Sequence, residues 1–156
     1  MLIRQAERAD EAAIAAIVER AYGVYVERIG MRPGPMDADY AEKVRRGLVH
    51  VAEDGDGNGG GAGPEVVGLI VLIEIDDRLL IENVAVAPDR QGGGIGRGLL
   101  AFAEETARGA GIGTLVLYTH EKMIENLELY ARLGYVADEW RREDGFSRVF
   151  MSKRLA

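Results

Sequence analysis

The sequence predicts an α+β domain, with a central mixed and mostly antiparallel twisted sheet of about seven strands flanked by about four helices. Three observations predict it. Apolar residues recur at three- and four-residue steps in some segments, while others are short runs rich in β-branched residues. Three of those runs follow one another, as in a meander. Single helices separate the later runs, as crossover connections require. With 156 residues and no separable linker, positions 1–156 are expected to form one domain that buries roughly two-thirds of its unfolded surface.

Each element follows from its own residues. Leu2 to Gln5 reads as a short first strand. From Asp10, the positions Ile14, Ile17, Val18, Ala21, Tyr22 and Tyr25 give one buried face of a first helix. RIGMRPGPMD ends it, and Asp37 is expected to cap a second helix carried by Tyr40 and Val44 and ended by Gly47. LVHVAE and EVVGLIVLIEI are strands, Asp76, Asp77 and Arg78 turn tightly, and RLLIENVAVAP continues as a strand to Pro88. Ile95, Leu99, Phe102, Ala103 and Thr106 mark a helix ending near Gly109. GTLVLYT is a strand, Glu125 to Leu133 a helix closed by Gly134, and YVADEWRRE with FSRVFMSKRL a terminal hairpin turned by Asp144 and Gly145.

Composition removes several function classes. There is no cysteine, which excludes disulfides, thiolate metal sites, iron–sulfur clusters and a cysteine nucleophile, and which suits the cytoplasm. The N-terminal segment carries charges throughout, so neither a signal peptide nor a membrane partner is expected. Nineteen Lys and Arg against 26 Asp and Glu give a net charge of −7, which argues against nucleic acid as a partner. Ser147 and Ser152 are the only serines and neither stands on a G-x-S-x-G elbow, so a serine hydrolase fails. His50 and His120 stand far apart, and no metal site is expected.

Two glycine clusters raise ligand questions. DGDGNGGGAGPE, Asp54 to Glu65, matches the fixed positions of a calcium loop, with Asp54, Asp56 and Asn58 as ligands, Gly59 at the turn and a bidentate Glu65. Such a loop needs a helix on either side. Strands flank this one, and Gly61 replaces the usual apolar residue, so it reads as a long hairpin tip. Gly55, Gly57 and Gly60 also spell a dinucleotide fingerprint, but a strand follows where a helix is required.

The second cluster, QGGGIGRG, opens a helix. Unpaired amides and the helix dipole there suit an anion, and Gly92, Gly93 and Gly94 leave no side chain to obstruct a pyrophosphate. Neither the P-loop nor the dinucleotide pattern fits. The segment does match Q/R-x-x-G-x-G/A as Gln91, Gly94 and Gly96, directly after the strand NVAVAP. With ENLELYARLGY, Glu125 to Tyr135, as a second block, nearly the whole chain resembles the Gcn5-related N-acetyltransferase superfamily.

The resemblance implies an acyl-CoA N-acyltransferase fold and acetyl-CoA as cosubstrate. Two strands, ending at Val86 and beginning near Thr114, would splay apart to admit the pantetheine arm, which pairs like an added strand with the Val84, Ala85 and Val86 segment. The pyrophosphate would rest on Gly92, Gly93, Gly94, Ile95, Gly96 and Arg97, with Arg97 adding charge or facing solvent. Asn126 would cap its helix or contact the pantetheine. Tyr130 matches the tyrosine that protonates the leaving thiolate, and the Val84 amide would steady the oxyanion. Glu82 is the expected base, with His120 or water as alternatives. Tyr22, Tyr25, Arg28, Arg32, Met36, Asp37 and Tyr40, with Trp140 and Phe146 opposite, form the acceptor neighbourhood. The expected reaction is direct acetyl transfer to a primary amine of a small molecule or peptide; a silent acyl-CoA sensor of the same fold is the alternative. Relatives often pair, which leaves a homodimer open.

Overall fold

The computed structural model describes residues 1–55 and 64–156. Its strands form one seven-stranded sheet in the order β1-β2-β3-β4-β5-β7-β6, where β1 is Leu2–Gln5, β2 Val49–Asp54, β3 Glu65–Ile75, β4 Arg78–Val86, β5 Thr114–His120, β6 Val136–Glu143 and β7 Phe146–Arg154. The helices are α1 (Glu11–Ile29), α2 (Tyr40–Arg45), α3 (Ile95–Gly109) and α4 (Ile124–Arg132). Parallel pairing of β4 with β5 beside the antiparallel pairs β1·β2, β2·β3, β5·β7 and β6·β7 makes the sheet mixed. This is the α+β architecture that the element order predicts. Among the described residues no helix is long and apolar enough to cross a membrane.

The described residues group into two compact units, Met1–Leu72 with Asn83–Phe102, and Ile73–Glu82 with Ala103–Ala156. In the first, α1 buries Ile14, Ile17, Val18 and Tyr22 along its predicted face and ends at Gly30, whose φ of 89° few other residues adopt. Asp37 does not cap α2. It lies in a 3-10 turn, Gly34–Asp37, and the helix waits for Asp39, whose carboxylate accepts the Glu42 amide at 3.1 Å. The prolines favour that intervening turn because their fixed φ suits its opening.

The contact of α3 with β3 sets the place of the loop before α3. A β-carbon on Gly68 of β3 would sit 3.1 Å from the Ala85 carbonyl oxygen and 3.2 Å from both Ile95 and Leu99. Glycine is what lets helix and strand approach this closely. Ile95, Leu99 and Leu100 are buried, in keeping with the helical step in the sequence.

The short edge strand β1 is fastened by charge. Arg4 donates to both oxygens of buried Asp10, at 2.8 and 2.9 Å, and its Nε donates to Glu53 at 2.6 Å. Asp10 also accepts the Glu7 amide at 2.7 Å.

In the second unit, β7 lies between β5 and β6, pairing with β5 from Thr114↔Arg154 to His120↔Arg148. Asp144 and Gly145, both at positive φ, turn the hairpin as their types allow. The parallel ladder of β4 and β5 runs from Leu79↔Leu115 to Ile81↔Leu117.

Two predictions follow from these contacts. Gly68→Ala must push a carbonyl or two packed side chains, so it is expected to lower stability by about 1–3 kcal/mol, read as a fall in the urea midpoint; an unchanged midpoint contradicts the close approach. The Arg4 guanidinium foremost, helped by the Glu7 amide and opposed by burial, holds the Asp10 carboxyl below its ordinary value. A depressed folded value means stability present above the unfolded value and lost as pH falls through the folded one. Asp10→Asn should therefore lower Tm at neutral pH, by an amount that shrinks as pH falls below the ordinary carboxylate range; a penalty that does not shrink with acid, in thermal melts, contradicts the ion pair.

Candidate active site

In the first unit the glycine cluster becomes a stretch of unpaired main chain. The amides from Gly92 to Arg97 donate to no backbone carbonyl of the described residues, and the first helical bond of α3 runs from the Gly98 amide to the Gly94 carbonyl at 3.0 Å. Gly92 and Gly94 take φ of 86° and 87°, and a β-carbon on either would meet nothing within 4 Å. Glycine serves here in two ways: it reaches left-handed backbone, and it leaves the amides open from outside. Ile95 is buried beneath, which fixes the start of the helix; Arg97 is exposed and has no ion pair among the described residues. Such an array suits a diphosphate, because amides and helix dipole point the same way.

The end of β4 leads into this loop. Gln91 reaches back and donates from its side-chain amide to the Val86 carbonyl at 3.3 Å. Ala85 is buried, while Val84 and Val86 are half-buried. The Val84 carbonyl accepts from the Tyr22 hydroxyl at 3.2 Å. That hydroxyl also meets the Asn83 side-chain oxygen, the Asn83 amide donates to Tyr40 at 2.8 Å, and Tyr40 donates to the Pro35 carbonyl at 2.7 Å. Asn83, Tyr22 and Tyr40 are all buried, so the chain of bonds satisfies groups that would otherwise be costly to bury. Asn83 was not among the predicted site residues. Its signal is a lone amide in the apolar run IENVAVAP.

The rest of the predicted acceptor neighbourhood is partly committed elsewhere. Arg32 pairs with Glu19 and Asp37, and the Arg28 guanidinium lies 5.0 Å from the Tyr25 ring centre. Arg148 lies over Phe146, while Trp140 stands on β6 with 62% of its surface exposed.

The second unit holds the candidate acid and bases. Glu82 is half-buried on β4, next after the last ladder residue Ile81. His120 ends β5, is buried, and accepts the Lys122 amide on Nδ1 at 3.0 Å. Burial foremost, opposed by Glu121 and aided by Lys122 and Arg148, pushes its imidazole below the ordinary value. The neutral ring therefore carries its proton on Nε2. Asn126 does not cap α4: the helix starts at Ile124 after Met123, and the Asn126 amide meets the Met123 sulfur at 3.7 Å. Tyr130 is buried on α4, with its ring 5.8 Å from that of Tyr135 in an edge-to-face contact.

Asp56 and Asn58, the would-be ligands of the calcium-loop pattern, its turn residue Gly59, and Gly57, Gly60 and Gly61 lie outside the described residues. Asp54 and Glu65 face each other as a cross-strand pair of β2 and β3, and the Arg90 guanidinium bridges them at 3.0 and 3.1 Å. The strands are those that the hairpin reading requires. Among the described residues no group of three or more His, Asp or Glu could hold a metal ion.

The pattern of the acetyltransferase (GNAT) family matches residues 12–135. The chain belongs to that family. As a GNAT protein it is an enzyme of the N-acetyltransferase class. Over 98–99% of both chains it resembles the IAA acetyltransferase of Bacillus cereus ATCC 14579, at 28% identity with a TM-score of 0.70, and the PaiA N-acetyltransferase of Thermoplasma acidophilum, solved in complex with coenzyme A, at 18% with 0.78. An 82-residue stretch, 51% of the chain, is 42% identical to N-alpha-acetyltransferase 80 of Mus musculus and spans 25% of that protein.

One residue of the GNAT block L-G-Y carries a cost. The Tyr135 hydroxyl is buried without a hydrogen-bond partner among the described residues, and burial, with Glu104 and Tyr130 adding, pushes its phenol above the ordinary range. Tyr135→Phe removes that orphan and is expected to raise stability by about 1 kcal/mol, read in the urea midpoint; a loss of similar size contradicts the unpaired hydroxyl.

Proposed function

We propose that this chain transfers an acetyl group from acetyl-CoA directly to a primary amine of a small molecule or peptide, within a ternary complex. The observation that carries the reading is the open run of amides from Gly92 to Arg97 at the start of α3. It matches the chemistry of a coenzyme diphosphate, and the family supplies the rest of the assignment. The parallel ladder ending at Ile81 supports the added-strand role of Val84, Ala85 and Val86 for the pantetheine arm.

Each residue then has one task. An alkylammonium with pKa near ~10.4 is almost wholly protonated at neutral pH, so a base must take its proton. Glu82 takes it, directly or through water; His120 is the weaker candidate because its Nδ1 is engaged by the Lys122 amide. The amine nitrogen attacks the thioester carbonyl, and the Val84 amide steadies the oxyanion. As the carbon–sulfur bond breaks, Tyr130 gives its phenolic proton to the departing sulfur and the nitrogen's second proton returns to the phenolate through water, so the products are the amide and free coenzyme A. The absence of cysteine agrees with transfer without an acyl-cysteine intermediate, and suits a reducing compartment such as the cytoplasm. The net charge of −7 favours a cationic acceptor over an anionic one.

The test is thiol release from acetyl-CoA over a panel of amines, amino acids, polyamines, aminoglycosides and peptides. Turnover with one class is expected, and Tyr130→Phe should lower kcat about 10²-fold while leaving acetyl-CoA affinity unchanged. Saturable acetyl-CoA binding with no turnover on any amine would mark the chain as a silent acyl-CoA sensor and overturn the catalytic reading. A Tyr130→Phe chain at full rate would overturn the acid assignment.

A further inference from the structure

Along β4 buried positions alternate with half-buried ones, and Leu79, Ile81, Asn83 and Ala85 make up the buried row. Asn83 is its polar member. A buried amide needs hydrogen-bond partners for both its oxygen and its nitrogen. Two helices supply them, Tyr22 from α1 and Tyr40 from α2.

The direction of these bonds is set at their far end. The Pro35 carbonyl can only accept, so the Tyr40 hydroxyl gives it a proton, at 2.7 Å. The Tyr40 oxygen then accepts from Asn83 at 2.8 Å, which turns the Asn83 nitrogen to α2 and its oxygen to α1. Facing an oxygen, Tyr22 is the donor. Its one phenolic proton is shared between the Asn83 oxygen and the Val84 carbonyl, the latter at 3.2 Å. Among side chains of this size only an amide serves both phenols: a carboxylate has no proton for Tyr40, and leucine has neither group. The bonds therefore run one way, and they join Val84 on β4 to the turn Gly34–Asp37.

We infer that Asn83 is a positioning residue for acetyl transfer. It aims the Tyr22 hydroxyl at Val84, so that the main chain about Val84 is held where its amide meets the thioester oxygen. It also ties that place to the turn that carries Met36 and Asp37 on the acceptor side. Asn83 acts through Tyr22 and does not touch the reacting atoms. The inference rests on the acetyl-transfer reading, and it adds a residue outside the glycine and tyrosine blocks.

The test combines the carbonyl-carbon spectrum of isotope-labelled protein, coenzyme A affinity by calorimetry, and kcat from thiol release with the best amine of the panel. Tyr22→Phe removes the donor and keeps the ring, so the Val84 carbonyl carbon should shift upfield while that of Pro35 stays. Asn83→Asp keeps the shape and draws both phenolic protons to a carboxylate, so both carbonyl carbons should shift. In either variant kcat should fall about tenfold or more, because the oxyanion donor is displaced. The dissociation constant of coenzyme A should change by less than about twofold, because the open amides that begin α3 still hold the diphosphate. Tyr22→Phe decides alone if the carboxylate variant does not fold. A network that serves only the fold lowers kcat and coenzyme affinity together, or neither, and either result overturns the inference. So does a Val84 carbonyl carbon that Tyr22→Phe leaves in place. A wild-type chain that binds coenzyme A and acetylates no amine overturns the transfer reading and this inference with it, whereas an active wild type with both variants at full rate overturns the role of Asn83 alone.

Discussion

A helix whose first amides have no carbonyl to meet must find acceptors outside itself, and in this chain that constraint governs the rest. The run from Gly92 to Arg97 cannot be closed from within, because Gly92 and Gly94 turn through left-handed backbone and α3 makes its first bond only at Gly98. The array is held from beneath. Gly68 lets Ile95 and Leu99 settle onto β3, and the Ala87 amide bonds the Val67 carbonyl at 2.8 Å, so the end of β4 enters the loop at a fixed height. A preorganised set of donors costs little to use when an anion arrives.

The same unit shows how polar groups are buried near such a loop without being wasted. Tyr22, Asn83 and Tyr40 satisfy one another and end on the Val84 and Pro35 carbonyls, joining α1, the turn before α2 and β4. A network with every member bonded stiffens the strand it holds. Arg90 does a comparable service at the base of the β2–β3 hairpin, where it bridges Asp54 and Glu65 beside the loop that precedes α3. The two carboxylates that made that hairpin look like a cation loop in the sequence thus already face a guanidinium.

Much of this was legible in the residues, and the parts that were not have physical reasons. The strand β3 and the helix α3 announce themselves through period, because each buries one continuous face or run. The glycine block and the tyrosine block resemble a family because chemistry fixes their spacing. The cap of α2 was misplaced: Asp37 and Asp39 offer the same side chain, and only the 3-10 turn between Pro33 and Ala38 decides between them. Asn126 failed as a cap because α4 begins at Ile124, so Met123 holds the N-cap place and Asn126 lies inside the first turn. The Tyr22–Asn83–Tyr40 network was invisible because it joins three distant segments, and the orphan hydroxyl of Tyr135 reads in sequence as an ordinary aromatic.

The account therefore turns on whether the amides at the head of α3 receive a diphosphate. The most direct measurement is the amide spectrum of isotope-labelled protein titrated with coenzyme A. The account predicts saturable shifts concentrated at Gly92 to Arg97, because new hydrogen bonds form there. Saturation elsewhere with these amides unmoved, or no saturable change at millimolar coenzyme, would contradict it.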